Sequence, residues 1–442
     1  MTTLMRRFIF GMVICGLCFC GIIFTRSVIR GERSEASIEE VALSSPYVLI
    51  ETMPDDAGFS SSGLQNIDAA VEASIKAGEL PGTVVLVVRH GKIAYFKAFG
   101  NRALKPEPEL MTRDTIFDIA SLTKVVATAP AIMQLVDRGV LRLGDPVNYY
   151  LPAFTGGGKE NITVRQLLTH YSGLRAGFDP AKEWMGYTAA LEEILKDKTI
   201  NTPGRSFVYS DLNYIVLAEI IRAVSGMPLD VYAREHIFRP LGMTETMFNP
   251  PVELIKRIAP TEMRQHPPGV TKGSKQAEFK MLRGGVHDLT VWKMGGVSGQ
   301  AGVFSNAYDL AVYAQTLLNR GIYDGERVLS EAAVIAMTNP QSPPQAENIR
   351  GYGWDIDTDY TSPRGDLFPG GFGHTGFTGT SIWIHPPDDS VVIILSNRVH
   401  PSGGKSINHL RGVIANIVSA SIIDRRSQLQ NPGNAEVMPA RF

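Results

Sequence analysis

The sequence is poor in cysteine: it has three, all between positions 15 and 20. The chain beyond Cys20 therefore has no disulfide and must be held by a hydrophobic core, which 442 residues can build. It also lacks an excess of one charge. Lys and Arg total 43 against 44 Asp and Glu, a formal net charge of -1. That balance excludes a bulk polycation for nucleic acid and a solvating acidic tail. No internal repeat or low-complexity tract interrupts the ordinary globular usage of 44% hydrophobic and 20% charged residues. Several chemical signatures are missing as well. There is no H-E-x-x-H for zinc and no G-x-S-x-G elbow. Gly404-Lys405-Ser406 lacks the earlier glycine of a phosphate loop, because Val399 stands there. His287-Asp288 is a pair without further ligands and reads as a surface turn. No cofactor, metal or nucleic-acid partner is expected.

The N-terminus departs from this average. Arg6 and Arg7 precede an uncharged apolar run over residues 8–24. The run is at the short edge of a membrane span and exceeds a usual signal-peptide core. Thr25 and the residues after it offer no small-residue cleavage site, which favours a retained anchor over a cleaved signal. Either fate exports the rest, since the cationic end stays cytoplasmic. Cys15 and Cys18 form a C-x-x-C by accident of an apolar segment, and Cys20 lacks the small residues that lipidation requires. The expected organisation is a cytoplasmic end over 1–7, an inner-membrane anchor over 8–24 and a juxtamembrane linker over 25–57. An extracytoplasmic domain over 58–425 and a loose tail over 426–442 complete it.

Within the domain, apolar residues at Leu64, Ile67, Val71, Ile75 and Leu80 predict a helix ending at Pro81-Gly82. The β-branched run from Thr83 to Val88, the break Arg89-His90-Gly91-Lys92 and the run from Ile93 to Phe99 predict a hairpin buried on both faces. Helical spacing follows over 121–136, 164–168, 214–224 and 310–318. Strand character returns over 380–384 and 391–396, around a Pro386-Pro387-Asp388-Asp389 turn, before a last helix over 409–423. Strands at both ends with helices between them imply an α/β (α+β) fold. One antiparallel sheet is assembled from N- and C-terminal segments, flanked by helices and carrying a mainly helical region.

Three short patterns carry chemistry. Ser121-Leu122-Thr123-Lys124 puts a hydroxyl and an amine one helical turn apart, so the amine can touch the hydroxyl. A serine needs such a neighbour to become a nucleophile, and burial can lower a lysine pKa toward that task. Tyr209-Ser210-Asp211 offers a proton relay in Tyr209; Asp211 reads equally as the cap of a helix starting near Leu212. His374-Thr375-Gly376 precedes a strand, where glycine admits a substrate backbone and His and Thr can bind a carboxylate or carbonyl. His170 reads as structural, hydrogen-bonded near the floor of a site.

In this order and spacing the three patterns resemble the serine β-lactamase and penicillin-binding-protein superfamily. Phe117-Asp118-Ile119-Ala120, Leu167-Leu168-Thr169-His170-Tyr171-Ser172-Gly173-Leu174, Pro203-Gly204, residues 237–243 and residues 299–305 look like its class C branch. That branch holds class C β-lactamases, DD-carboxypeptidases and family VIII-type esterases. The resemblance spans about residues 58–425 and implies an acyl-enzyme on Ser121, with Lys124 as its base or base partner. It implies Tyr209 as relay to the leaving group, an oxyanion hole from the backbone N–H groups of Ser121 and Phe377, and substrate contacts from Asp211, His374, Thr375 and Gly376. Two departures matter. Asp211 stands where the branch more often has Asn; a carboxylate cannot donate to a substrate amide, so the expected role of Asp211 is to hold Lys124 in place. His374 stands where β-lactamases usually have Lys, which weakens attraction for a β-lactam carboxylate. The implied activity is D-alanyl-D-alanine carboxypeptidase-like or esterase-like. A class C β-lactamase and a penicillin- or muropeptide-binding protein without turnover are the alternatives. The implied partner is a small molecule or peptide with an acyl, amide or ester group, a peptidoglycan stem peptide among the candidates.

Mass spectrometry of the protein extracted from membranes should find residues 8–24 still attached. A mature N-terminus beyond Thr25 would overturn the anchor.

Overall fold

Six consecutive β-branched or aliphatic residues from Thr83 to Val88 leave a strand no face for water, and Gly82–Arg89 is buried along its whole length. In the computed structural model, which describes residues 48–179, 181–266, 278–358 and 363–425, this strand is the centre of the main sheet. On one side it forms the expected hairpin with Lys92–Ala103. On the other it pairs antiparallel with Ser390–Ser396, Leu86 opposite Ile393 and Val84 opposite Leu395. Ser381–His385, Phe372–Thr375, Asp355–Asp357 and Ile349–Arg350 continue the sheet antiparallel. N- and C-terminal segments thus share one sheet, as the strand pattern implied. The second hairpin arm is buried only at its start and becomes partly exposed beyond Tyr95, so burial on both faces belongs to the first arm alone.

The two faces of the sheet feed two cores. Val85, Val87, Trp383, Val392 and Ile394 pack against the helices Ser61–Lys76 and Asn408–Ala420. Val84, Leu86, Ile382, Ile393 and Leu395 face the larger core of the helical region, which includes Ala129–Asp137, Asp211–Ser225 and Ala307–Leu318. Each such side chain removed from water contributes about 2 kcal/mol before entropy is counted. The first helix begins where Ser60 Oγ accepts from the N–H of Gly63 at 3.1 Å, and ends at Lys76, so Leu80 lies beyond it.

The domain starts earlier than residue 58. Ile50–Glu51 pairs parallel with Lys92–Ile93 at the sheet edge, and Pro54–Ala57 forms a 3-10 turn. Residues 48–57, expected as linker, are therefore part of the folded unit. The anchor over 8–24 and the tail over 426–442 lie outside the described residues; among those described, no helix is long and apolar enough to cross a membrane.

Arg89 joins the ends of this unit. Its buried guanidinium donates to the carbonyl of Ala57 at 2.9 Å and to that of Asp388 at 3.1 Å, and pairs with Asp424 at 2.7 Å. Arg89→Met leaves those acceptors without their donor. It is expected to destabilise the domain by about 3 kcal/mol, read as a lower urea midpoint at unchanged slope. A shift under about 0.5 kcal/mol would show that the ends are held independently of it.

Candidate active site

The segment carrying Ser121 is locally irregular. Ala120 has φ of +47°, a left-handed conformation that costs a non-glycine residue about 1–3 kcal/mol. The expected helix over 121–136 is three pieces: a 3-10 turn over Ala120–Leu122, a π-helical turn over Lys124–Thr128, and α-helix only from Ala129. Such π turns widen the backbone and cluster at functional sites. Neighbouring groups hold the distortion. Asp118 Oδ1 accepts from the N–H of Ala120 at 2.8 Å, Tyr313 donates to the carbonyl of Val125 at 2.6 Å, and Thr128 donates to that of Gly299 at 2.7 Å. Asp118 is fully buried, and burial raises its pKa to about 6 despite the N–H groups of His287 and Ala120.

Lys124 is 0% exposed. Its Nζ lies 3.1 Å from Ser121 Oγ, 2.7 Å from Asp211 Oδ1 and 3.0 Å from the carbonyl oxygen of Gln300. Asp211 and the Gln300 carbonyl accept from the amine, and Ser121 Oγ completes the set. Burial acts to depress the lysine. The Asp211 carboxylate, with a smaller contribution from Tyr209, outweighs it and holds Lys124 above its ordinary pKa. Burial alone would lower the lysine; with the Asp211 carboxylate beside it the direction is upward, toward the ammonium. Asp211 does not cap its helix. It is the first residue of Asp211–Ser225, and its side chain is committed to Lys124.

Tyr209 stands beside this pair, its ring centroid 5.0 Å from Lys124 Nζ. His170 stacks on it at 4.4 Å with planes 28° apart. His170 is buried, accepts from the N–H of Ser210 at 3.0 Å and is kept neutral by burial and by the nearby charges of Arg350 and Lys124. Its structural reading agrees with these contacts: it sets the plane of Tyr209.

Phe372–Thr375 brings His374 and Thr375 to the opposite wall. His374 donates from Nδ1 to the carbonyl of Thr375 at 2.9 Å, which leaves Nε2 an acceptor. Burial, Arg350 and Lys124 keep this imidazole neutral. Gly376 is required by close approach, since a Cβ there would lie 2.1 Å from Thr380 Oγ1 and 2.5 Å from the carbonyl oxygen of Ile119. Thr378 donates to the carbonyl of Asp118 at 2.7 Å and Thr380 to that of Ile119 at 3.0 Å, so this wall is bolted to the serine turn.

Ser121, Tyr209, His374, Thr375 and Phe377 line one cleft of about 180 Å³. Lys124 and Gly376 are buried behind it, and Asp211 is partly exposed beside Lys124. Two further lining residues, Arg350 and Asp355, escaped the sequence reading. They lie 3.8 Å apart as a buried ion pair, and Arg350 also donates to the carbonyl of Gly353 at 2.9 Å. Nothing marks Arg350-Gly351-Tyr352 locally as a site; only the strand order carries it there. His287 is buried, not in a surface turn, and Asp288 caps the short helix Leu289–Lys293. Among the described residues no cluster of His, Cys, Asp and Glu could hold a metal ion.

Known proteins share both sequence and fold with this chain. Residues 67–416 match the family described as Beta-lactamase. A protein of Escherichia coli (strain K12) named "Putative D-alanyl-D-alanine carboxypeptidase" is 34% identical over 380 residues, 80% of this chain and 86% of that protein. One of the same name from Salmonella schwarzengrund is 33% identical over 407 residues, covering 86% and 93%. A class C beta-lactamase superposes with a TM-score of 0.65 at 19% identity, covering 82% of this chain and 97% of the other. A penicillin-binding protein homologue from Caulobacter crescentus gives 0.65 at 21%, covering 82% and 99%. With a family match over most of the described domain and a serine beside a buried lysine in its cleft, the chain belongs to the beta-lactamase family and is a serine hydrolase.

Proposed function

We propose that the protein removes a terminal residue from a D-alanyl-D-alanine-type peptide, through an acyl-enzyme on Ser121. The domain would be held at the outer side of the inner membrane by residues 8–24. The observation that carries the reading is the 3.1 Å contact between Lys124 Nζ and Ser121 Oγ in a cleft. The names of the curated relatives support the peptide class. Ser121 Oγ forms a bond to the scissile carbonyl carbon while its proton passes to the oxygen of Tyr209, which acts as the phenolate. The C–N bond then breaks and Tyr209 returns the proton to the departing amine. Water attacks the acyl-enzyme by the reverse route and restores Ser121. The backbone N–H groups of Ser121 and Phe377 are assigned to the oxyanion. Lys124, cationic beside Asp211, orients the serine and stabilises negative charge on Tyr209. His374, neutral where a fixed cation would draw a β-lactam carboxylate, supports slow β-lactam turnover.

Ser121→Ala should abolish labelling by fluorescent penicillin and by fluorophosphonate, together with all hydrolysis. Lys124→Ala and Tyr209→Phe should each lower kcat/KM by about two to four orders of magnitude at unchanged far-UV dichroism. A labelled peptide mapped to another serine overturns the nucleophile.

Asp211→Asn tests the charge state of Lys124. The carboxylate raises the lysine pKa, so its loss lowers the pH at which the ammonium deprotonates. The alkaline limb of the kcat/KM profile should therefore move to lower pH. A variant more active than wild type at pH 7 would show instead that Lys124 works as a neutral base.

A further inference from the structure

Large apolar side chains exposed at a cleft mouth need a reason. Phe377 is 62% exposed, yet it lines the cleft beside Ser121. Its ring is not free to turn away. His287 stacks on it at 5.6 Å with planes 27° apart, and the Arg398 guanidinium lies 4.8 Å from its centroid. Both holders are themselves fixed. The N–H of His287 donates to Asp118, and Arg398 donates to the carbonyl of Lys405 at 3.1 Å. The backbone beneath is fixed too, by Gly376 against Thr380 and Ile119. A rigid, exposed aromatic beside the reacting serine is preorganised to receive an apolar surface, because no ordering of the ring is needed on binding.

We infer that Phe377 is a specificity residue whose side chain stacks on an apolar group flanking the scissile carbonyl, so that the site selects substrates with an extended aliphatic or aromatic acyl part over short ones. This deepens the proposed reaction and rests on Ser121 as its nucleophile. The side chain acts separately from the backbone N–H of the same residue, which any substitution other than proline retains.

The test is kcat/KM for p-nitrophenyl hexanoate divided by that for p-nitrophenyl acetate, with full-length protein in detergent. A common leaving group isolates the acyl part, and a ratio cancels any general loss of activity. Phe377→Ala should lower the ratio about tenfold, and Phe377→Leu should keep it within about threefold. Arg398→Gln, which releases one holder of the ring, should lower it about threefold and serves should Phe377→Ala fail to fold. Fluorophosphonate labelling of Ser121 is measured in parallel. Labelling at Ser121 with an unchanged ratio in the variants overturns the platform alone. Absence of labelling in the wild type overturns the nucleophile, and the platform with it.

Discussion

A fully buried ammonium organises this protein. A charge removed from water costs several kcal/mol unless its hydrogen bonds are completed. Lys124 completes them with three groups from three parts of the chain: Ser121 one turn before it, Asp211 at the start of a helix, and the carbonyl of Gln300 in a distant loop. The lysine therefore cannot be satisfied until the helical region has closed on the serine turn. Its loop partner is held equally closely. Gly299 lies against the main chain of Tyr214, where a Cβ would come within 1.9 Å of the carbonyl oxygen, and its own carbonyl takes the Thr128 hydroxyl. Local geometry around Lys124 is thus a product of the whole fold.

The strain at the serine follows from that demand. A regular α-helix would bond the carbonyl of Val125 within itself; the π turn sends it to Tyr313 from the helix Ala307–Leu318. Ala120 at positive φ aims the turn into the cleft and is held by a carboxylate that burial has made a weak acid. Asp118 serves two loops at once, accepting from Ala120 and from His287. Through His287 the same carboxylate reaches the ring of Phe377. The serine turn and the rim of the cleft are consequently joined, by Asp118 and by the hydroxyls of Thr378 and Thr380.

Much of this was legible because it follows from periodicity or from local spacing. The β-branched run at 83–88 and the apolar run at 391–396 need burial on both faces, and pairing them answers both needs. Ser121 and Lys124 are one turn apart, so their contact required no tertiary knowledge. The lysine's charge and the two further cleft residues were illegible for a common reason: they depend on partners far along the chain. The lysine's charge depends on Asp211, 87 residues on, and without that partner burial would have given the opposite direction. Locally Asp211 reads as a helix cap; only the resemblance set it against Lys124, where it stands. Arg350 and Asp355 reach the cleft only because their strands pair beside Phe372–Thr375. The π turn ends against Pro130, which has no N–H to give the preceding turn.

The charges of the cleft also constrain how it can work. Lys124 is matched by Asp211 and Arg350 by Asp355, while His170 and His374 are held neutral. Each of these two cations is therefore matched by its own carboxylate. A paired cation draws anions less than an unpaired one would. In the proposed mechanism the electrostatic effect of the site comes from main-chain N–H groups held by the bolted turn and from the near face of the Lys124 ammonium. Such dipoles act strongly at contact and weakly beyond it, so they favour a transition state over a distant charged ground state. Replacing the usual asparagine by Asp211 fits the same economy: it gives up a donor to substrate and secures the cation on which the serine depends.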